Sequence, residues 1–142
     1  MRLIAGMSEA SKQFNRVQRV FLRVLDNHNR KLVEYEDDVW NFFQNCWHLT
    51  DWIKNDKQSV AKATRGKIDV EVKSYPALMT VGKLTNKSKN LEVISNVTEE
   101  GGKEHGEILL TIIDEDGHES PVKTLATDAM KNWMTILKKY RI

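Results

Sequence analysis

The chain has 142 residues, 40% apolar and 30% charged, a composition that excludes a disordered tail or a fibrous repeat and is long enough to bury a core. Its 22 basic and 20 acidic side chains leave a net charge of +2, which argues against polyanion binding by the surface as a whole. A single cysteine, Cys46, excludes an internal disulfide framework, and no apolar run approaches the roughly 20 residues of a membrane span, so a cytoplasmic protein without membrane contact is expected.

At the start, Met1-Arg2-Leu3-Ile4-Ala5-Gly6 is too short and too weakly apolar for a signal peptide. From about Ser8 to Leu32, Phe14, Val17, Phe21, Val24, Leu25 and His28 recur at three- and four-residue steps, which predicts an amphipathic helix capped by Ser8 or Ser11. Its other side carries a basic stripe of Lys12, Arg16, Arg19, Arg23 and Arg30, either a solvated face or a phosphate-facing one. Tyr35 to Asn55 predicts a second helix with acidic residues in its first turn and Val39, Phe42, Phe43, Cys46, Thr50 and Ile53 on one face. Trp40 and Trp47 widen that face, so this helix is expected at the centre of a bundle or in a dimer interface.

The stretch from Lys57 to Asn90 is helical but broken. A short helix over Lys57 to Arg65 would end at Gly66, and Ile68 to Ser74 fits strand or helix. Pro76 opens a further helix whose polar end is Asn86 to Asn90. The period then changes to two: Leu91, Val93, Ser95 and Val97, then Ile108, Leu110 and Ile112, predict an antiparallel pair closed by Glu100-Gly101-Gly102-Lys103. Asp116-Gly117 signals a turn into a third short strand around Glu119 to Lys123. Leu125 to Tyr140 is helical again, with Ala126, Met130, Trp133, Leu137 and Tyr140 on one face. The expected fold is mainly α: a single domain over 1–142, a bundle of about four helices with a small antiparallel β-hairpin or meander at about 91–123 before the last helix.

The near-zero net charge hides segregated blocks. Residues 1–33, 57–90 and 120–142 carry +5, +6 and +4, whereas 34–56 and 91–119 carry −5 and −8. Alternation of this kind fits packing complementarity between neighbouring elements, or basic blocks converging on one face.

The run Phe42-Phe43-Gln44-Asn45-Cys46-Trp47-His48-Leu49-Thr50-Asp51-Trp52-Ile53 resembles a motif of a group of small bacterial and prophage proteins. A second motif of that group, Asp-Leu-Ala-Asn-x-Ser-Lys-His at the end of a later helix, corresponds to Gly82-Lys83-Leu84-Thr85-Asn86-Lys87-Ser88-Lys89-Asn90. The resemblance covers roughly residues 35–142, and its terminal His is Asn90 here. The group is similar in layout to the HEPN superfamily, helical and often dimeric domains of toxin–antitoxin and phage-defence systems, many of them metal-independent RNases. The resemblance implies RNA binding, a homodimer, and RNase activity that is lost or degenerate with Asn90 in place of the His.

Candidate residues follow. His48 and Asp51 are three apart on one helix, so a carboxylate can hold the imidazole as a general base; a structural polar network is the other reading. Lys83, Asn86, Lys87, Ser88, Lys89 and Asn90 supply the charge and donors of an RNA- or anion-binding loop, or simply form an exposed connection. Arg23 and His28 match the Arg-x4-His pattern of HEPN RNases, but residues five apart stand about 140° from each other around a helix. The four histidines and one cysteine lack metal-ligand spacing, so neither a metal nor another cofactor is expected. The alternative to RNA binding is a non-enzymatic homodimeric protein–protein interaction module, in which the acidic segment 91–119 docks a basic protein partner.

Overall fold

The computed structural model describes residues 9–56, 62–86, 92–97, 106–113 and 116–142. In chain order these form helices α1 (Glu9–Leu25), α2 (Leu32–Asn55), α3 (Lys62–Val72) and α4 (Pro76–Thr85). Strands β1 (Glu92–Val97), β2 (Ile108–Ile113) and β3 (Glu119–Pro121) and the closing helix α5 (Val122–Lys139) follow. The mainly helical fold with a small sheet before the last helix is the expected one, with five described helices where about four were expected.

The centre of the bundle is α2, which touches all four other helices. Its predicted face is buried throughout: Val39, Phe42, Phe43, Cys46, Thr50 and Ile53 are all inside. From the other side come Val17 and Val24 of α1, Leu78 and Val81 of α4, and Ala126, Trp133 and Leu137 of α5. The indole N–H of Trp133 donates to the Cys46 carbonyl at 3.1 Å, pinning α5 to the middle of α2.

The sheet has the order β1-β2-β3 and is antiparallel throughout, with Val97 opposite Ile108 and Thr111 opposite Pro121. Ile108, Leu110 and Ile112 point into the core, as their alternation predicts. Gly117, at φ 81°, supplies the left-handed backbone of the turn into β3. The predicted loop at Glu100 to Lys103 lies outside the described residues.

Three local expectations are corrected. The first helix ends at Leu25, seven residues short of Leu32. Asn27 and Asn29 leave the helical path because their backbones bond to the start of β2: Ile108 N–H donates to the Asn27 carbonyl and Asn29 N–H to the Gly106 carbonyl. His28 is therefore off the apolar stripe, bridged to Glu107 at 3.2 Å on the surface. Gly66 does not end a helix; α3 runs through it to Val72, which settles Ile68 to Val72 as helix.

Charge blocks of opposite sign meet where α1 turns into α2. Arg30 pairs with Asp38 and also donates to the Arg23 and Asp26 carbonyls at the end of α1, while Arg23 stands 3.9 Å from Asp38. Packing complementarity thus accounts for part of the alternation. No described helix is long and apolar enough to cross a membrane.

Candidate functional site

The two sequence-predicted features of the first helices lie on one surface. Along α1, Arg16 donates to the Gln13 side-chain oxygen at 3.2 Å. Gln13 is itself buried and donates to the Asn45 side-chain oxygen at 3.1 Å, and Asn45 donates to the Asn41 carbonyl at 2.8 Å. The Arg16 guanidinium also lies 5.6 Å from the Trp52 ring centroid, a cation–π contact. A continuous polar chain therefore crosses from the basic stripe of α1 to the outer side of α2.

On α2 at about 100° per residue, Asp51, Gln44 and His48 fall between two packed edges. One edge, Phe43 and Trp47, meets α4: Thr85 donates its hydroxyl to the Phe43 carbonyl at 3.3 Å and Gly82 abuts Trp47. The other edge, Asn45 and Trp52, meets α1. His48, Asp51, Gln44 and Asn41 are all exposed, so the stripe faces solvent between the two neighbouring helices. His48 and Asp51 share it, but no hydrogen bond or ion pair joins them among the described residues.

The second predicted cluster is only partly described. Lys83 and Asn86 are exposed at the end of α4, the helix bordering the α2 stripe on the side away from α1. Lys87, Ser88, Lys89 and Asn90 lie outside the described residues. Among the described residues no group of three or more His, Cys, Asp or Glu side chains is placed to hold a metal ion.

A second polar cluster went unseen in the sequence. Glu71 of α3 accepts hydrogen bonds from Lys139 at 2.7 Å and Tyr140 at 2.9 Å, and its other oxygen accepts from Tyr75 at 3.2 Å. These donors hold the carboxyl below the usual carboxylate range, Lys139 most of all, against an opposing push from burial. Its partners are as much as 69 residues away in the chain, so no local pattern marks it. Gln13 did leave a signal: a polar residue between Ala10 and Val17 on the buried side of α1.

No family model matches the chain, and neither the curated proteins nor the solved structures contain a match to it.

Proposed function

We propose that the face formed by α1 and α2 binds single-stranded RNA. The observation that carries this reading is the position of Arg16, held against Gln13 and over Trp52 beside the exposed stripe of Asn41, Gln44 and His48. A guanidinium fixed on an aromatic ring is a preorganised phosphate contact, and amide and imidazole groups beside it can read base edges and 2′-hydroxyls. Lys12 and Arg19 extend the same side of α1 and add sequence-independent attraction to a phosphate backbone. The reading keeps the RNA-binding part of what the HEPN resemblance implies. Cleavage would need His48 to take a proton from a 2′-hydroxyl as that oxygen bonds to the adjacent phosphorus and the P–O5′ bond breaks, the departing 5′-oxygen taking a proton from water, with Asp51 orienting His48 and Lys83 facing the phosphate.

The test is fluorescence anisotropy with a labelled single-stranded RNA in chelator, comparing the unaltered protein with Arg16→Gln and His48→Ala. Arg16→Gln is expected to weaken binding about tenfold, equivalent to about 1.4 kcal/mol, and to flatten the salt dependence. Absence of binding at low salt, or binding indifferent to Arg16→Gln, would overturn the reading. A gel of the same RNA reports cleavage, which must vanish in His48→Ala if this face performs it.

A further inference from the structure

Of the four tryptophans, Trp40 is the one left open. Trp133 is buried and donates to Cys46, Trp47 abuts Gly82, and Trp52 lies under Arg16, whereas Trp40 keeps 37% of its surface exposed. The reach of α4 explains the difference. That helix runs antiparallel to α2, with Gly82 beside Trp47 and Thr85 beside Phe43, and it ends before the turn of α2 that carries Trp40.

The exposed indole is nevertheless held in place. It meets Phe43 edge-on, with 6.1 Å between ring centroids, and Phe43 packs on Phe42 at 5.8 Å and Phe42 on Phe21 at 5.7 Å. Phe42 and Phe43 are fully buried, so Trp40 is the surface end of an aromatic row rooted in the core. A ring already ordered in this way loses little conformational freedom when a ligand covers it.

Neighbouring side chains decide what that ligand can be. Gln44, at i+4, is an exposed amide beside the indole, and Asn41 is another on the same stripe. On the preceding turn stand the carboxylates of Asp37 and Glu36, at i−3 and i−4, which repel a phosphate. A flat, neutral group with polar edges fits here; a phosphodiester does not. Arg16 is the opposite case, a guanidinium that no carboxylate pairs with among the described residues. Twelve residues separate Trp40 from Trp52, about 18 Å along the helix axis, and the stripe of Asn41, Gln44 and His48 lies between them.

We propose, resting on the RNA-binding reading of this face, that Trp40 is the stacking platform for an unpaired nucleobase of the strand whose phosphate Arg16 holds. Stacking on an indole is sequence-tolerant and needs the base out of a duplex, so this face requires free bases as well as backbone charge.

Anisotropy with three labelled probes tests this: the single-stranded RNA, its duplex, and a strand of equal length with abasic spacers in place of the nucleosides. The variants are Trp40→Leu, Trp40→Phe and Arg16→Gln, with urea midpoints verifying that each is folded. For the single-stranded RNA, Trp40→Leu is expected to weaken binding about tenfold and Trp40→Phe by less. The duplex and the abasic strand should bind the unaltered protein more weakly, be indifferent to Trp40→Leu and stay sensitive to Arg16→Gln. Quenching of tryptophan fluorescence by the RNA should be largely lost in Trp40→Phe. A Trp40 that merely supports the fold would weaken all three probes alike. That result, equal affinity for the RNA and the abasic strand, or RNA binding indifferent to Trp40→Leu overturns the proposal, and the RNA-binding reading survives it wherever Arg16→Gln still weakens binding. Binding of no probe at low salt overturns the reading and the proposal together. Self-association that Trp40→Leu abolishes would assign the indole to a second copy and overturn the proposal.

Discussion

The six-membered ring of Trp47 fills the space that a side chain on Gly82 would need, with ring carbons 2.9 to 3.0 Å from where the β-carbon would stand. The contact lets α4 lie against α2, and it explains why a glycine is placed inside α4 despite its helix-weakening backbone freedom. Gly82→Ala is therefore expected to destabilise the fold by about 1–3 kcal/mol through overpacking, even though alanine is the better helix former. Gly66→Ala is the matched opposite. It sits in a helix with open space around it, so it is expected to stabilise by about 0.5–1 kcal/mol. Urea titration of the two variants should give midpoint shifts of opposite sign.

Alkaline pH should weaken the fold through two buried acids. Burial pushes the Cys46 thiol from 9.0 up to about 12, with the Trp133 hydrogen bond lowering it by less. Burial likewise pushes the Tyr35 phenol from 10.0 up to about 12, against the lowering influence of Arg30 and with a smaller raising one from Asp26. Across the interval from 9.0 to about 12 the unfolded chain loses protons that the folded chain keeps, so stability falls as pH rises through it. Denaturation midpoints measured through that interval should decline, and Cys46→Ala with Tyr35→Phe should flatten the decline. Tyr35→Phe also leaves the Val24 carbonyl without its 2.7 Å donor, at a cost of about 1–2 kcal/mol.

The acid side depends on Glu71. Its carboxyl is held below the ordinary 4.5, so the tie between α3 and α5 is fully present above that value and is lost as pH falls through the folded one. Glu71→Gln should lower the thermal midpoint at neutral pH, where three donors lose their charged acceptor. The gap to the unaltered protein should close in acid. A gap independent of pH would mean that the carboxylate charge contributes nothing.

The helical layer was legible where one periodicity governed it. The α2 face from Val39 to Ile53 and the α5 face around Trp133 are buried as their spacing predicts, and so is the inward row of β2. Legibility failed where tertiary hydrogen bonds override local pattern. His28 continues the apolar spacing of α1, yet the backbones of Asn27 and Asn29 are captured by the strand 81 residues further on, and the helix stops. Gly66 reads as a stop because glycine follows a helical run, but its backbone stays helical. At the candidate site, the placing of His48 and Asp51 on one side of α2 was visible in their three-residue spacing. The link of α2 to Arg16 through Gln13 and Asn45 was not, because that link depends on how α1 lies along α2.

The capture of Asn27 makes the last prediction. Its side chain is fully buried, donates to the Ile108 carbonyl at 2.9 Å, and offers its oxygen to Lys123 at 3.4 Å, while its own carbonyl accepts from Ile108 N–H at 2.8 Å. One residue thus joins the α1–α2 turn, β2 and the start of α5. Asn27→Ala strips the side-chain donor but leaves the backbone bond, and is expected to cost about 1–3 kcal/mol by stranding the Ile108 carbonyl. Asn27→Asp should be worse at neutral pH, because an ionised carboxylate has no proton to donate and turns two acceptors towards each other. Lys123 offsets only part of that repulsion from the other oxygen. The new carboxyl is then favoured in its protonated form in the folded chain, so the stability of Asn27→Asp should rise as pH falls, against the trend set by Glu71. Amide hydrogen exchange at Ile108 supplies the local readout: protection should drop in both variants, and in Asn27→Asp it should recover in acid. Unchanged exchange in both would show that the backbone bond alone holds the sheet to the helices.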